Sequence, residues 1–146
     1  MVIVGAAHTD LQLYPVGADV LDTASYSVKQ MVLTVGGDAL NEATVITRLG
    51  HKVRLVSCVG DDVIGSLVLE HCRKNNIGTE YIKVDSSKVT SINVGLIRRM
   101  ESGHLLTIKA GASGPSVRRM WRESQCPMEE SCLLPAFLTI PFWMKA

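Results

Sequence analysis

Apolar and polar residues follow regular patterns through residues 1–111, and these patterns predict the secondary structure of that part. Short apolar or β-branched runs, bounded by Gly, Pro, Asn or Asp, are typical of strands. The predicted strands span residues 2–6, 11–13, 26–35, 53–59, 81–84, 90–98 and 105–110. Apolar residues recur at helical spacing over 39–49 and 63–74, which predicts two helices, the second capped at Asp61-Asp62.

The order of these elements predicts the fold class. Strands that alternate with helices indicate an α/β fold, in which crossovers through the helices join parallel strands. The closely spaced strands around residues 11–35 and 81–110 indicate an additional antiparallel element beside that core. We therefore expect a parallel sheet with its helices and a second, smaller group of strands.

Residues 112–146 differ in composition from the rest of the chain. They hold both Trp, both Phe and four of the five Pro, and no helical or strand pattern persists in them. Pro127 interrupts the polar stretch 118–130, and proline in a helix interior costs about 3 kcal/mol. We therefore predict a domain part at 1–111 and a divergent tail at 112–146, either frameshifted or disordered.

Charge and cysteine usage narrow the class of partner. The 15 Lys and Arg balance 14 Asp and Glu, so the basic surplus typical of nucleic-acid or anionic-membrane binding is missing. The four Cys have no CxxC spacing, which is typical of free thiols in a reducing compartment. The first residues show no signal-peptide pattern, and no apolar run reaches the ~20 residues of a membrane span. We expect a cytoplasmic protein without nucleic-acid or membrane partners.

Gly36-Gly37, between a predicted strand and a predicted helix, is the most informative stretch for chemistry. Paired glycines let the backbone approach a ligand closely, and a helix start directs free N–H groups to the same place. Asn41 in the first helical turn both donates and accepts hydrogen bonds, which suits a hydroxyl-rich ligand. The alternative interpretation is a plain tight turn in which Asp38 caps the helix.

The spacing of small residues around this stretch resembles the first signature of the PfkB (ribokinase-like) carbohydrate kinase family. The positions that match it are Gly36, Gly37, Ala39, Asn41, Ala43, Gly50 and Gly60. Stretches 5–10, 59–65 and 102–112 are also similar to family segments, namely the first strand, a Val-Gly-x-Asp-x-x-Gly stretch and a lid hairpin. The resemblance covers residues 2 to about 112.

The resemblance implies the N-terminal half of a ribokinase-like three-layer α/β core with an antiparallel β-strand lid. It implies ATP-dependent phosphorylation, with Mg²⁺, of a hydroxyl on a sugar or nucleoside. The implied substrate contacts are Asp10, Gly36, Gly37 and Asn41. Thr90 and Ile92 are candidate lid contacts, and ordinary lid packing explains them equally well. The alternative for Asp10 is a residue that caps the turn after the first strand.

The family's second half holds its phosphoryl-transfer residues, an Asn-x-x-Glu stretch and a Gly-Ala-Gly-Asp motif with the base. Neither is found in 112–146, and no Asp follows Asp85. No His or Cys pair stands at metal-ligand spacing, so we expect no metal site. We therefore expect a truncated, inactive kinase that lacks the catalytic base and the ATP and Mg²⁺ residues.

Two alternatives remain open. One is a non-enzymatic module that binds sugar or forms a homodimer through the lid strands, since exposed strand edges favour pairing. The other is a Rossmann-like nucleotide binder, which would require a glycine fingerprint directly after the first strand. Residues 5–10 do not provide that fingerprint.

Overall fold

The computed structural model describes residues 1–98, 105–110, 119, 122 and 132–133. Two helices and nine strands have both of their ends within these residues. In chain order they are β1 (Val2–Val4), β2 (His8–Val16), β3 (Gln30–Gly36), α1 (Asp38–Arg48), β4 (Val53–Gly60), α2 (Val63–Lys74), β5 (Ile77–Gly78), β6 (Ile82–Asp85), β7 (Ile92–Arg98), β8 (Leu105–Ala110) and β9 (Cys132–Leu133).

The first sheet is the parallel core of the fold. Its strands lie in the order β5-β4-β1-β9, and β6 also pairs with β4. All four pairings are parallel, with Ile3 opposite Leu55 at the centre. Parallel sheets are normally covered on both faces, which explains why β1 reads as a continuous apolar run. Its residues Val2, Ile3 and Val4 are at most 1% exposed.

The two helices cover one face of this sheet. Leu40 and Ala43 of α1, together with Val68 and Cys72 of α2, are completely buried in a cluster that includes Leu55 of β4. Burial of each large aliphatic side chain contributes about 1.5–3 kcal/mol. This packing fixes the position of α1, and therefore of its first turn, on the core sheet.

A smaller apolar cluster lies on the other side of the core strands. It consists of Val2 and Val4 of β1 with Val56 of β4, and Cys58 and Tyr81 pack against it. Alternate residues of β1 thus belong to different clusters, as the twofold repeat of a strand requires.

The second sheet is the lid, with strand order β3-β2-β7-β8. Both outer pairings, β2 with β3 and β7 with β8, are antiparallel. The central pairing of β2 with β7 is parallel, so the lid is not antiparallel throughout. Strand β2 is longer than predicted, because pairing on both sides holds it from His8 to Val16, with a register shift between Leu13 and Val16 near Pro15.

The strand predicted at 81–84 does not belong to the lid. It forms β6, which pairs in parallel with β4, with Ser57 opposite Ile82. The physical reason is the crossover: α2 returns the chain to the core sheet, where a parallel strand can join β4 directly. The lid part of the predicted 81–110 segment is therefore limited to β7 and β8, and residues 99–104 between these strands lie outside the described residues.

The predicted divergent tail lies mostly outside the described residues. Two of its residues form β9, which pairs in parallel with β1, with Val2 opposite Cys132. A strand of two residues is too short for a periodic pattern to reveal it. The predicted boundary at residue 111 stays a prediction.

Candidate functional site

Asp10 lies within β2, between two neighbouring strands of the lid. It is opposite Thr34 of β3 and opposite Asn93 of β7. Residues directly opposite each other share one face of a sheet, so Asp10 and Asn93 point to the same side. The interpretation of Asp10 as a cap of the turn after β1 is therefore wrong, because both sides of its strand are paired.

A hydrogen-bond network holds the carboxylate of Asp10. The side-chain nitrogen Nδ2 of Asn93 donates to Oδ1 of Asp10 over 2.9 Å. The same nitrogen lies 2.7 Å from Nε2 of His8, which is itself 3.5 Å from Oδ1 of Asp10. The Asp10 side chain is 33% exposed. The carboxylate is thus oriented by the lid and is still accessible from outside.

Gly36 ends β3 next to this carboxylate. A Cβ atom at Gly36 would collide with Oδ2 of Asp10 and would lie 3.8 Å from Nε2 of His8. Gly36 is opposite His8 in the register of β2 and β3. The absence of a side chain at this position therefore leaves room for the Asp10 carboxylate.

Gly37 connects the lid to the core helix α1. Its φ is 107°, a conformation that L-residues rarely adopt, and a Cβ there would collide with the carbonyl oxygen of Ala6. The same Cβ would lie 3.0 Å from the Cα of Ala7. Both backbone conformation and space therefore require glycine here, as the spacing of the paired glycines indicated.

The start of α1 lies directly after the paired glycines. Gly37 is the N-cap, Asp38 is the first helical residue, and within the described part of the chain no side chain caps this end. The interpretation of Asp38 as the cap is therefore wrong. The backbone N–H of Asn41 donates to the carbonyl of Gly37 over 2.8 Å, and the Asn41 side chain is exposed. The uncapped helix start and Asn41 are open to a polar ligand.

Thr90 precedes β7 and contacts the core. It is 3% exposed, its hydroxyl accepts from the N–H of Gly60 over 2.8 Å, and its own N–H donates to Oδ2 of Asp62 over 2.7 Å. Ile92 is opposite Thr9, so the register places it on the lid face opposite to Asp10. Asn93 is the residue of β7 beside the Asp10 carboxylate.

Asp62 caps α2 and has a perturbed acidity. Its Oδ1 accepts from the N–H of Gly65 over 2.7 Å, so the helix cap predicted from sequence is confirmed at this residue. Burial disfavours the charged carboxylate, but hydrogen bonds from Thr90, Gly65 and Ile64 outweigh that effect and hold the pKa of Asp62 below its ordinary value.

Asn93 and His8 were not among the predicted site residues. The only signal for Asn93 was a polar amide in an otherwise apolar strand, and its opposition to Asp10 depends on a pairing between distant segments. His8 stands two residues before Asp10, so the two side chains share a face once a strand is assumed there. The strand was predicted to begin only at residue 11, which concealed this relationship.

Clusters of metal-ligating side chains are absent from the described residues. No group of three or more His, Cys, Asp or Glu among them is arranged to hold a metal ion. In the same part, no helix has the length and apolar character needed to cross a membrane.

Known proteins similar to this chain are sugar kinases. The chain is 28% identical over 103 residues to a ribokinase from Haemophilus influenzae, covering 70% of this chain and 33% of that protein. It is 30% identical over 86 residues to a 5-dehydro-2-deoxygluconokinase from Photobacterium profundum, covering 59% and 24%. The chain thus spans about a third of the length of the curated relatives it matches.

Solved structures show the same fold. An uncharacterized sugar kinase from Pyrococcus horikoshii aligns with a TM-score of 0.59 at 30% identity, covering 73% of this chain and 34% of that one. A ribokinase from Cryptococcus neoformans in complex with ADP aligns with a TM-score of 0.58 at 24% identity, covering 76% and 34%. The predicted ribokinase-like α/β fold is confirmed. The model of the pfkB family carbohydrate kinases matches residues 1–118, and the chain belongs to that family.

Proposed function

We propose that this chain carries the sugar-binding side of a PfkB-type kinase site. The observation that supports this most strongly is the partly exposed Asp10 carboxylate, with Oδ1 held by Asn93 and Oδ2 next to the bare backbone of Gly36. Ionised carboxylates are strong acceptors for hydroxyl groups. A sugar placed here would donate to Asp10, approach the backbone at Gly37, and meet Asn41 at the uncapped start of α1.

The reaction we propose for the whole site is ATP-dependent phosphorylation of a hydroxyl on a sugar or nucleoside, with Mg²⁺. The relatives named as kinases and the ADP in one structural neighbour support the nucleotide. The free thiols of Cys58 and Cys72 support a reducing, cytoplasmic location, and the small net charge of +1 gives no support to a nucleic-acid or membrane partner.

For the 146-residue chain alone we propose sugar binding without phosphoryl transfer, as expected for a truncated kinase. Transfer requires a positioned base, neutralised phosphates and an oriented hydroxyl. No Asp follows Asp85 in the sequence, and no three His, Cys, Asp or Glu side chains among the described residues cluster in a way that could hold a metal ion. Asp10 and the paired glycines can orient a sugar, but orientation is only one of the three requirements.

Two measurements on the purified chain test this proposal. Isothermal titration with a panel of pentoses, hexoses and nucleosides should show saturable binding of at least one, and Asp10→Asn should weaken it. A coupled assay with ATP and Mg²⁺ should show no substrate-dependent release of ADP. Turnover above the Asp10→Asn background would contradict the proposed inactivity, and no binding by any compound would contradict the proposed site.

A second candidate function, dimerisation through the lid, is favoured by the face of the lid opposite to Asp10. Alternation places Leu11 and Leu13 of β2, and Met31 and Leu33 of β3, on that face. Met31 is 65% exposed and Leu33 is 47% exposed, and neighbouring exposed apolar side chains are typical of interaction surfaces. We propose that a second copy of this chain covers them.

Sedimentation of the chain and of a Leu33→Lys variant tests the dimer. The unsubstituted chain should sediment as a dimer at micromolar concentration, and the charged variant should sediment as a monomer. Val45→Lys is the matched control, because Val45 is 57% exposed on α1, outside the lid, and should leave the dimer intact. A monomeric unsubstituted chain would contradict this candidate function without affecting the sugar site.

A further inference from the structure

The orientation of the Asp10 carboxylate depends on one side chain from a neighbouring strand. Asn93 lies opposite Asp10 in the register of β2 and β7, and its Nδ2 is within hydrogen-bond distance of both Asp10 and His8. An amide nitrogen carries two hydrogens. One therefore serves Oδ1 of Asp10 at 2.9 Å and the other serves Nε2 of His8 at 2.7 Å.

The chemistry of the three groups fixes which way the amide points. With the amide reversed, its oxygen would face a carboxylate oxygen, and two acceptors at this distance repel each other. With the nitrogen inward, both hydrogens are used, provided that Nε2 of His8 is unprotonated. The neutral ring of His8 must then carry its proton on Nδ1.

We propose that Asn93 is the positioning residue of the Asp10 carboxylate, and this inference rests on the proposed sugar-binding function. Asn93 occupies Oδ1 of Asp10 and so leaves Oδ2, beside Gly36, as the oxygen presented to a sugar hydroxyl. His8 in turn accepts the second hydrogen of Asn93, which stops the amide from rotating away. His8 therefore orients the amide of Asn93, and this amide in turn orients the carboxylate of Asp10.

Fixing the Asp10 carboxylate in advance should increase the affinity for a sugar. Asp10 and His8 lie in a half-buried position, with side chains 33% and 21% exposed, so an unheld carboxylate there would sample several rotamers. If the carboxylate is already held in one orientation, it loses no rotamer entropy when the sugar binds. The gain appears as affinity for the sugar and needs no direct contact between Asn93 and the ligand.

Two substitutions separate hydrogen-bond donation from simple filling of space. Asn93→Ala removes the amide, and Asn93→Asp keeps its shape but replaces the donor by a carboxylate facing Asp10. Sugar affinity is measured by titration at a pH of about 8, well above the ordinary range of carboxyl pKa values. We expect Asn93→Ala to weaken binding about tenfold, since one charge-assisted hydrogen bond is lost, and Asn93→Asp to weaken it further.

Thr34→Ala is the matched control, because Thr34 is the other cross-strand neighbour of Asp10 and its side chain is exposed. It should bind sugar like the unsubstituted chain. A second readout does not depend on sugar: the ring nitrogens of His8 in ¹⁵N-labelled protein, assigned through a His8→Gln variant, should show the Nδ1–H tautomer. Asn93→Ala should convert this signal to a mixture of tautomers, while circular dichroism shows that the fold is kept.

The outcomes are distinct. If Asn93→Asp binds sugar as well as the unsubstituted chain while Asn93→Ala does not, Asn93 only fills space, and the inference is overturned while the proposed function stands. Equal affinity in all variants overturns it as well. If the unsubstituted chain binds no sugar, both the proposed function and the inference fail, and the His8 tautomer then shows whether the hydrogen bonds of Asn93 form at all.

Discussion

Asp62 and Thr90 are 28 residues apart in the chain, and the N–H of Thr90 donates to Oδ2 of Asp62 over 2.7 Å. The other oxygen of Asp62 caps α2 through Gly65, and the hydroxyl of Thr90 accepts from the N–H of Gly60. Asp62 and Thr90 together therefore join the end of β4, the start of α2 and the segment that leads into the lid.

Removal of this carboxylate should destabilise the fold. We expect Asp62→Ala to lower the free energy of unfolding by about 1–3 kcal/mol, because a helix cap and a partly buried hydrogen bond are lost together. Urea unfolding followed by circular dichroism measures the change. Asp61→Ala is the matched control, since Asp61 is exposed, and it should stay within about 0.5 kcal/mol of the unsubstituted chain. Equal losses in both variants would refute the role of Asp62.

Asp62 should also make the free energy of unfolding depend on pH in the acidic range. Hydrogen bonds hold the pKa of folded Asp62 below the ordinary value of 3.8, so above 3.8 both states are ionised and the stabilisation is complete. As the pH falls below 3.8, the unfolded state takes up a proton first, and the stabilisation is lost. The free energy of unfolding should therefore fall less steeply in Asp62→Asn than in the unsubstituted chain. Parallel slopes in this pH range would be inconsistent with the linkage.

His71 should make the stability of the fold depend on pH at higher pH values than Asp62 does. It lies 2.9 Å from Oγ1 of Thr44, whose hydroxyl donates to the carbonyl of Leu40, so the ring Nε2 is the donor between the helices. Burial, with the charge of Arg48, lowers the pKa of His71 from its ordinary 6.5. The unfolded state therefore gains a proton first as the pH falls through 6.5, and the folded state loses stability.

A His71→Gln variant tests this dependence, because glutamine keeps a donor but does not titrate. We expect its unfolding free energy to change less than that of the unsubstituted chain as the pH falls from neutral to about 5.5. His51→Gln is the control, since His51 is exposed and precedes β4. A control that flattens the pH dependence as much as His71→Gln would show that another group is responsible.

Alanine substitutions at Gly37 and Gly50 can separate the cost of a strained backbone conformation from the cost of a steric collision. Both have positive φ, 107° and 89°, but only Gly37 has backbone atoms where a Cβ would lie. Gly50→Ala should cost about 1 kcal/mol from conformation alone. Gly37→Ala should cost clearly more in thermal or urea unfolding, because the carbonyl of Ala6 must also move. Similar losses would mean that the collision is relieved easily.

Much of the core could be predicted from the sequence, because its signals are local. The helical spacing of Leu40 and Ala43, and the cap at Asp62, each depend on residues a few positions apart. The tight connection at the paired glycines and the position of Asn41 in the first helical turn could also be predicted, since strand, turn and helix follow one another directly. Membership of β6 in the core could not, because strand partners are chosen by tertiary packing over long separations.

The position of Asn93 in the candidate site could not be predicted either, for the same reason. Its position opposite Asp10 arises from a parallel pairing of segments that are 83 residues apart, and no local pattern encodes that pairing. Ile92, the neighbour that was predicted as a lid contact, faces the other side. A shift of one position along a strand reverses the face, so these two neighbouring residues lie on opposite surfaces of the lid.

The two faces of the lid also restrict how the length of β2 can change. The polar face carries Asp10, and the apolar face carries Leu11 and Leu13. Insertion of one residue before Asp10 would turn the carboxylate into the apolar surface and expose the leucines beside the glycines. Insertion of two would restore both faces. In β2, therefore, length variation among functional relatives should occur in steps of two residues or be absorbed by a bulge.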